Sequence, residues 1–84
     1  MAPPKRFVYI LKSETDPRRY YTGVTSDLSM RLADHNDGRC AHTASARPWI
    51  PMVVIEFIDE RRALDFERYL KSGSGVSFSQ RHFR

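Results

Sequence analysis

The sequence predicts an α+β domain with a small three-stranded, mainly antiparallel sheet flanked by helices, ordered β-β-α-β-α with a short C-terminal helix to follow. Three observations lead there. Two β-branched and aromatic runs, Phe7-Val8-Tyr9-Ile10-Leu11 and Tyr20-Tyr21-Thr22-Gly23-Val24-Thr25, are too short for helices. The polar loop between them is short enough for an antiparallel hairpin. Downstream, two segments with apolar residues at helical spacing bracket an almost unbroken apolar run.

The first run is bounded by Lys5-Arg6 and by Ser13-Glu14-Thr15-Asp16-Pro17, so it reads as a strand. Period-two alternation puts Tyr9 on one face with Phe7 and Leu11, and Tyr21 on one face with Gly23. Gly23 marks either a close approach of the backbone or substrate, or a bulge. Ser26-Asp27 then supplies an N-cap, Leu28 and Leu32 recur four apart, and Asn36-Asp37-Gly38 stops the run, giving a helix over residues 27–36. Arg31 and His35 form a second i,i+4 pair that borders the sheet-facing side. After a polar loop over residues 39–47, Met52-Val53-Val54-Ile55-Glu56-Phe57-Ile58 reads as the core strand, covered on both faces. Asp59 can cap a helix that runs to about Lys71, where Ser72-Gly73-Ser74-Gly75 breaks it. Residues 76–83 are expected to add the final helix.

The 84 residues make one domain, expected to span residues 1–84 with its core at about 7–72. A chain of this size buries only about 60% of the surface that its unfolded form exposes, so an active site has to be shallow and open. A single cysteine, Cys40, excludes an internal disulfide framework and a cysteine-based zinc cluster, and it suits a reducing compartment; the expected location is cytoplasmic. No apolar run reaches the roughly 18 residues of a membrane span, so no membrane partner is expected, and Ala2-Pro3-Pro4 reads as a loose lead-in. Lysine plus arginine number 14 against 10 aspartate plus glutamate, for a formal charge of +4, which favours a polyanionic partner.

Glu67 is the residue that packing alone does not explain. Ala63, Leu64, Phe66, Tyr69 and Leu70 form a helical stripe, and Glu67 borders it, four residues after Ala63 and three before Leu70. Removing an unpaired carboxylate from water costs on the order of several kcal/mol. Something positive should therefore meet it: a metal ion, an arginine or a cation carried by a substrate.

In their order along the chain these residues resemble the GIY-YIG nuclease superfamily. Phe7-Val8-Tyr9 stands where the first namesake tripeptide would be, without its glycine, and Tyr21-Thr22-Gly23 stands where the second would be. Asp27-Leu28-x-x-Arg31-Leu32-x-x-His35-Asn36 is similar to the helix after the second tripeptide, and Ala63-Leu64-x-x-Glu67-x-x-Leu70-Lys71 to the glutamate helix. His42-Thr43 and Arg47-Pro48-Trp49 look like the small, stand-alone branch of the family. A repair nuclease subunit that incises damaged DNA carries the same module at its N-terminus. Val24 departs from the lysine found there in some members.

The resemblance implies a divalent-metal-dependent endonuclease acting on DNA, with RNA open as a second substrate, in DNA repair or processing. Its implied catalytic residues are Tyr9, Tyr21, Arg31, His35 and Glu67. Glu67 would hold Mg²⁺ or Mn²⁺ through a hard oxygen, and Arg31 would neutralise charge on the phosphate. Tyr9, Tyr21 and His35 are all candidates for the base that activates water; the resemblance favours a tyrosine, with Tyr9 first, its pKa lowered by Arg31 and the metal. The module is expected to use the whole chain, so cleavage with little sequence specificity, or directed by a partner protein, is the expectation. The alternative is a catalytically inactive nucleic-acid-binding module in which Glu67 pairs with Arg31.

Overall fold

The computed structural model describes residues 5–84; the expected lead-in at Ala2-Pro3-Pro4 lies outside them. Strands β1 (Arg6–Ser13), β2 (Tyr20–Thr25) and β3 (Trp49–Phe57) form one antiparallel sheet in the order β2-β1-β3. Helix α1 (Leu28–Asn36) follows β2, a 3₁₀ turn (Ala44–Ala46) precedes β3, and α2 (Glu60–Leu70) and α3 (Gly73–His82) close the chain. The predicted α+β class, the three-stranded antiparallel sheet and the order of elements along the chain hold.

Alternation along β1 divides the core in two. Val8 and Ile10 point to one face, where Ala63 and Leu70 of α2 cover them together with Phe57, Phe66 and Phe78. Tyr9 and Leu11 point to the other, where they meet Trp49, Ala46, Tyr21 and the α1 residues Leu28 and Leu32. The two helices that carry the candidate catalytic residues thus cover opposite faces of the sheet.

The core strand is β1, not β3. The apolar run 52–58 was expected to be covered on both sides, but β3 is an edge strand, and Ile50, Met52 and Val54 remain 38–40% exposed. Pro51, which has no N–H for a ladder, is compatible with an edge. Continuous hydrophobicity therefore does not distinguish an edge strand from a central one. A register shift interrupts the β1–β3 ladder between Ile10 and Leu11: Ile10 pairs with Val53 and Leu11 with Pro51, so Met52 is the extra residue of a bulge.

Helix ends follow the sequence closely. The Asp27 side chain accepts from the backbone N–H of Met30, and that of Asp59 accepts from the N–H of Arg61, so both helices are capped by the expected aspartates. The glycine-rich stretch after α2 differs from expectation, because Ser72 caps α3 and both Gly73 and Gly75 lie inside that helix. Gly75 is there for space: a Cβ would collide with the backbone carbonyl of Tyr69 at the α2–α3 junction. Gly75→Ala should consequently lower unfolding free energy in urea by about 1–3 kcal/mol, the usual cost of overpacking, whereas Gly73→Ala, with open space around it, should not.

Candidate active site

Tyr9 sits at the centre of β1, 1% exposed, directly across from Gly23 of β2. A side chain at residue 23 would collide with the Tyr9 phenol oxygen, so Gly23 marks a close approach rather than a bulge, but the approaching group is the Tyr9 side chain and not the backbone or substrate. Tyr21 lies on the same face two residues earlier, its ring 6.3 Å from that of Tyr9. His35 reaches both from α1, with ring centroids 5.9 Å from Tyr9 and 4.7 Å from Tyr21.

The histidine is not at the border of its helix but fully buried, 0% exposed. Both ring nitrogens are engaged: Nε2 lies 3.0 Å from the Tyr9 hydroxyl and Nδ1 lies 2.8 Å from Oγ1 of Thr43. Thr43 is held in turn, since its carbonyl accepts from the Trp49 indole N–H at 2.8 Å. Asn36 grips Trp49 from α1, accepting from its backbone N–H at 2.6 Å and donating to its carbonyl at 3.1 Å. Thr43, Asn36 and Trp49 had no assigned chemistry in the sequence. Trp49 plugs the core on this face and also anchors the loop that holds His35.

Arg31, one turn before His35, faces the Tyr9 phenol and lines a shallow cavity of about 270 Å³ with Asp34, Arg39 and Cys40. Arg39 is turned toward Asp34, at 3.1 Å. The electrostatics run partly against expectation. Burial pushes the Tyr9 phenol up to about 12, outweighing the lowering by Arg31, so a phenol made acidic by the arginine alone is not what the fold provides. Burial also lowers the pKa of His35, and the positive charge of Arg31 adds to the effect while Asp34 opposes it. The imidazole is neutral near neutral pH.

Glu67 comes from α2, on the other face of the sheet. Its side chain is only 16% exposed, and its carboxylate is paired with Lys71 one turn on, not with Arg31. The positive group demanded by a half-buried carboxylate is thus supplied, at least in part, within its own helix. Tyr9, Tyr21, Arg31 and His35 form one contiguous group; Glu67 makes no bond to any of them. Among the described residues, no group of three or more histidine, cysteine, aspartate or glutamate side chains gathers as a ready-made metal cage.

With this geometry in view, comparison with known proteins decides the family. The pattern of the GIY-YIG catalytic domain matches residues 5–76, which include all five candidate residues. The chain belongs to the GIY-YIG family. Over 71 residues it is 41% identical to the structure-specific endonuclease subunit SLX1 of Candida dubliniensis, a match covering 76% of this chain and 25% of that protein. It is 32% identical over 72 residues to the UPF0213 protein YazA of Bacillus subtilis, covering 84% of this chain and 71% of that protein. A third relative, UPF0213 protein SpyM50708 of Streptococcus pyogenes, is 35% identical over 63 residues, covering 75% of this chain and 66% of that protein. The match to this SLX1 subunit spans a quarter of the longer protein. No helix among the described residues of this GIY-YIG domain is long and apolar enough to cross a membrane.

Two outcomes follow from the geometry. Gly23→Ala must displace the Tyr9 ring, and should cost about 1–3 kcal/mol in urea denaturation while perturbing the His35 ring resonances. Stability should fall as pH drops through the histidine range, because an unfolded imidazole (pKa about 6.5) takes up a proton that the buried native one, with its lowered pKa, refuses. The slope should approach about 1.4 kcal/mol per pH unit between the two pKa values and should vanish in His35→Gln.

Proposed function

We propose that this GIY-YIG domain is a divalent-metal-dependent endonuclease that hydrolyses DNA phosphodiester bonds with little sequence specificity, in DNA repair or processing. The observation that carries the reading is the bond between the Tyr9 hydroxyl and Nε2 of a buried, neutral His35, with the Arg31 guanidinium beside the phenol. Such a group is suited to taking a proton from water next to a phosphate. As water attacks phosphorus, the Tyr9 oxygen accepts the water's proton while its own proton passes to His35 Nε2, so no isolated phenolate has to form in a buried place. The raised pKa of Tyr9 then ceases to be an obstacle. Tyr21, half-buried beside both rings, orients the water or the phosphate, and Arg31 neutralises charge that builds on the non-bridging oxygens.

Glu67 fits a Mg²⁺ or Mn²⁺ ion in kind, since it offers a hard carboxylate oxygen, and such ions are commonly bound by one or two carboxylates together with substrate phosphate and water. The ion would supply charge neutralisation at the departing 3′ oxygen. Lys71 would have to yield the carboxylate when the ion binds. Membership of the GIY-YIG family and the similarity to an SLX1 structure-specific endonuclease subunit support nuclease chemistry in DNA processing. The basic balance of the chain supports a nucleic-acid partner, DNA first and RNA second, and the word subunit in the name of that relative is consistent with recruitment by another protein.

The second reading, an inactive module that binds nucleic acid, is favoured by one observation, the Glu67–Lys71 ion pair that already satisfies the carboxylate. Incubation with nicked, flapped, single-stranded and duplex DNA plus Mg²⁺ or Mn²⁺ separates the two. Cleavage is expected in the wild type, lost in Glu67→Ala and reduced about 100-fold or more in Arg31→Ala. Cleavage that survives Glu67→Ala removes the metal role. Salt-sensitive binding, with a log-log slope of about 0.9 per duplex phosphate contacted, and no cleavage with either metal, leaves the binding module.

A further inference from the structure

We infer that Thr43 is a positioning residue that fixes His35 as the tautomer protonated on Nδ1, so that the lone pair of Nε2 faces the Tyr9 hydroxyl. The inference rests on the reading of Tyr9 and His35 as a proton relay, and names what gives that relay its direction.

The argument is one of donors and acceptors. Tyr9, His35 and Thr43 are each at most 1% exposed, so their polar hydrogens have to find partners in this cluster. Suppose His35 carried its proton on Nε2. That N–H and the guanidinium of Arg31, which has donors only, would both address the Tyr9 oxygen, and the phenolic hydrogen would have no acceptor. With the proton on Nδ1 every hydrogen is placed. The phenol donates to Nε2 at 3.0 Å, Nδ1 donates to Thr43 Oγ1 at 2.8 Å, and the Thr43 hydroxyl donates to the carbonyl of Cys40 at 3.3 Å. Arg31 is free to face the phenol oxygen from the other side.

Thr43 can do this because its backbone is pinned. Its N–H bonds the Cys40 carbonyl at 3.1 Å, its own carbonyl holds the Trp49 indole, and the Ser13 hydroxyl of β1 donates to the carbonyl of Ala46, at the end of the same 3₁₀ turn. Arg19, in the loop before β2, donates to the His42 carbonyl and to Ser45 Oγ, both at 3.2 Å. A short loop with little apolar burial of its own is thereby tied to the sheet from both ends. Besides His35 Nδ1, the acceptor its inward hydroxyl can reach is the Cys40 carbonyl, which takes the hydroxyl proton when Nδ1 carries its own.

Long-range ¹H–¹⁵N correlation on the labelled full chain at neutral pH reads the tautomer directly, with His35→Gln identifying the signal. The expected result is a pyrrole-type Nδ1 and a pyridine-type Nε2 in the wild type. Thr43→Val keeps the shape but removes the acceptor; it should move the proton to Nε2 and lower kcat on DNA about 100-fold without weakening DNA binding. Thr43→Ser should restore both. A wild-type His35 protonated on Nε2, or a Thr43→Val chain that keeps the wild-type tautomer, overturns the inference, as does a changed tautomer with unchanged kcat. Should Thr43→Val fail to fold, the wild-type tautomer together with that of Thr43→Ser decides the matter. The two readings fail separately: a wild type with the expected tautomer and no cleavage of any DNA ends the nuclease reading and leaves the assignment of Thr43 standing.

Discussion

Across the β1–β2 ladder the Tyr9 phenol occupies the space that any side chain at residue 23 would need. The rest of the site depends on that exchange of volume. Glycine at an edge-strand position gives up packing and β-propensity, and in a domain this small such a loss has to be balanced by its neighbours. What it provides is a tyrosine hydroxyl fixed at one point beneath the sheet surface, within 3.0 Å of a histidine nitrogen from a helix that approaches from the same side. Ring packing among Tyr9, Tyr21 and His35 then limits the directions each can turn.

Burial gives this group its electrostatic character. The same desolvation acts on two titratable groups with opposite consequences for charge: it keeps the phenol protonated and the imidazole unprotonated. A hydroxyl that holds its proton, bonded to a base that is ready for one, transfers charge only when a third group intervenes. Arg31 biases both in the direction of deprotonation, and Asp34 opposes it at His35. Lysine in place of Arg31 would carry the charge but not the planar fork that can face phenol and phosphate at once.

Much of this was legible in the residues. The hairpin and both aspartate caps follow from alternation and capping chemistry, which are local rules, whereas the grouping of Tyr9, Tyr21, Arg31 and His35 was implied by the family resemblance. The errors have a common source, because they concern which element lies beside which. The apolar composition of 52–58 says that the strand is hydrophobic, not that β1 would take the central position and leave β3 on the edge. The Gly73 and Gly75 pair reads as a break, yet one of the two admits α3 against the end of α2. Burial of Tyr9 decides its acidity, and burial is a property of the assembled sheet. Thr43 carries no periodic signal at all; its role appears only when the loop over residues 39–47 folds back onto α1. Glu67 was expected to need a positive partner, and Lys71, four residues away on the same helix, was in plain view.

The bulge at Met52 settles a question of parity. Val54 faces Tyr9 across the ladder and Trp49 faces Ser13, so both sit on the α1 side although they are an odd number of positions apart. In an uninterrupted strand that spacing would send them to opposite sides. The extra residue shifts the phase once, and it is this half-turn that carries the indole to the Thr43 carbonyl. Pairing the same nine residues of β3 without the bulge would leave its composition untouched while swinging the tryptophan toward α2, and the loop behind the imidazole would lose its peg.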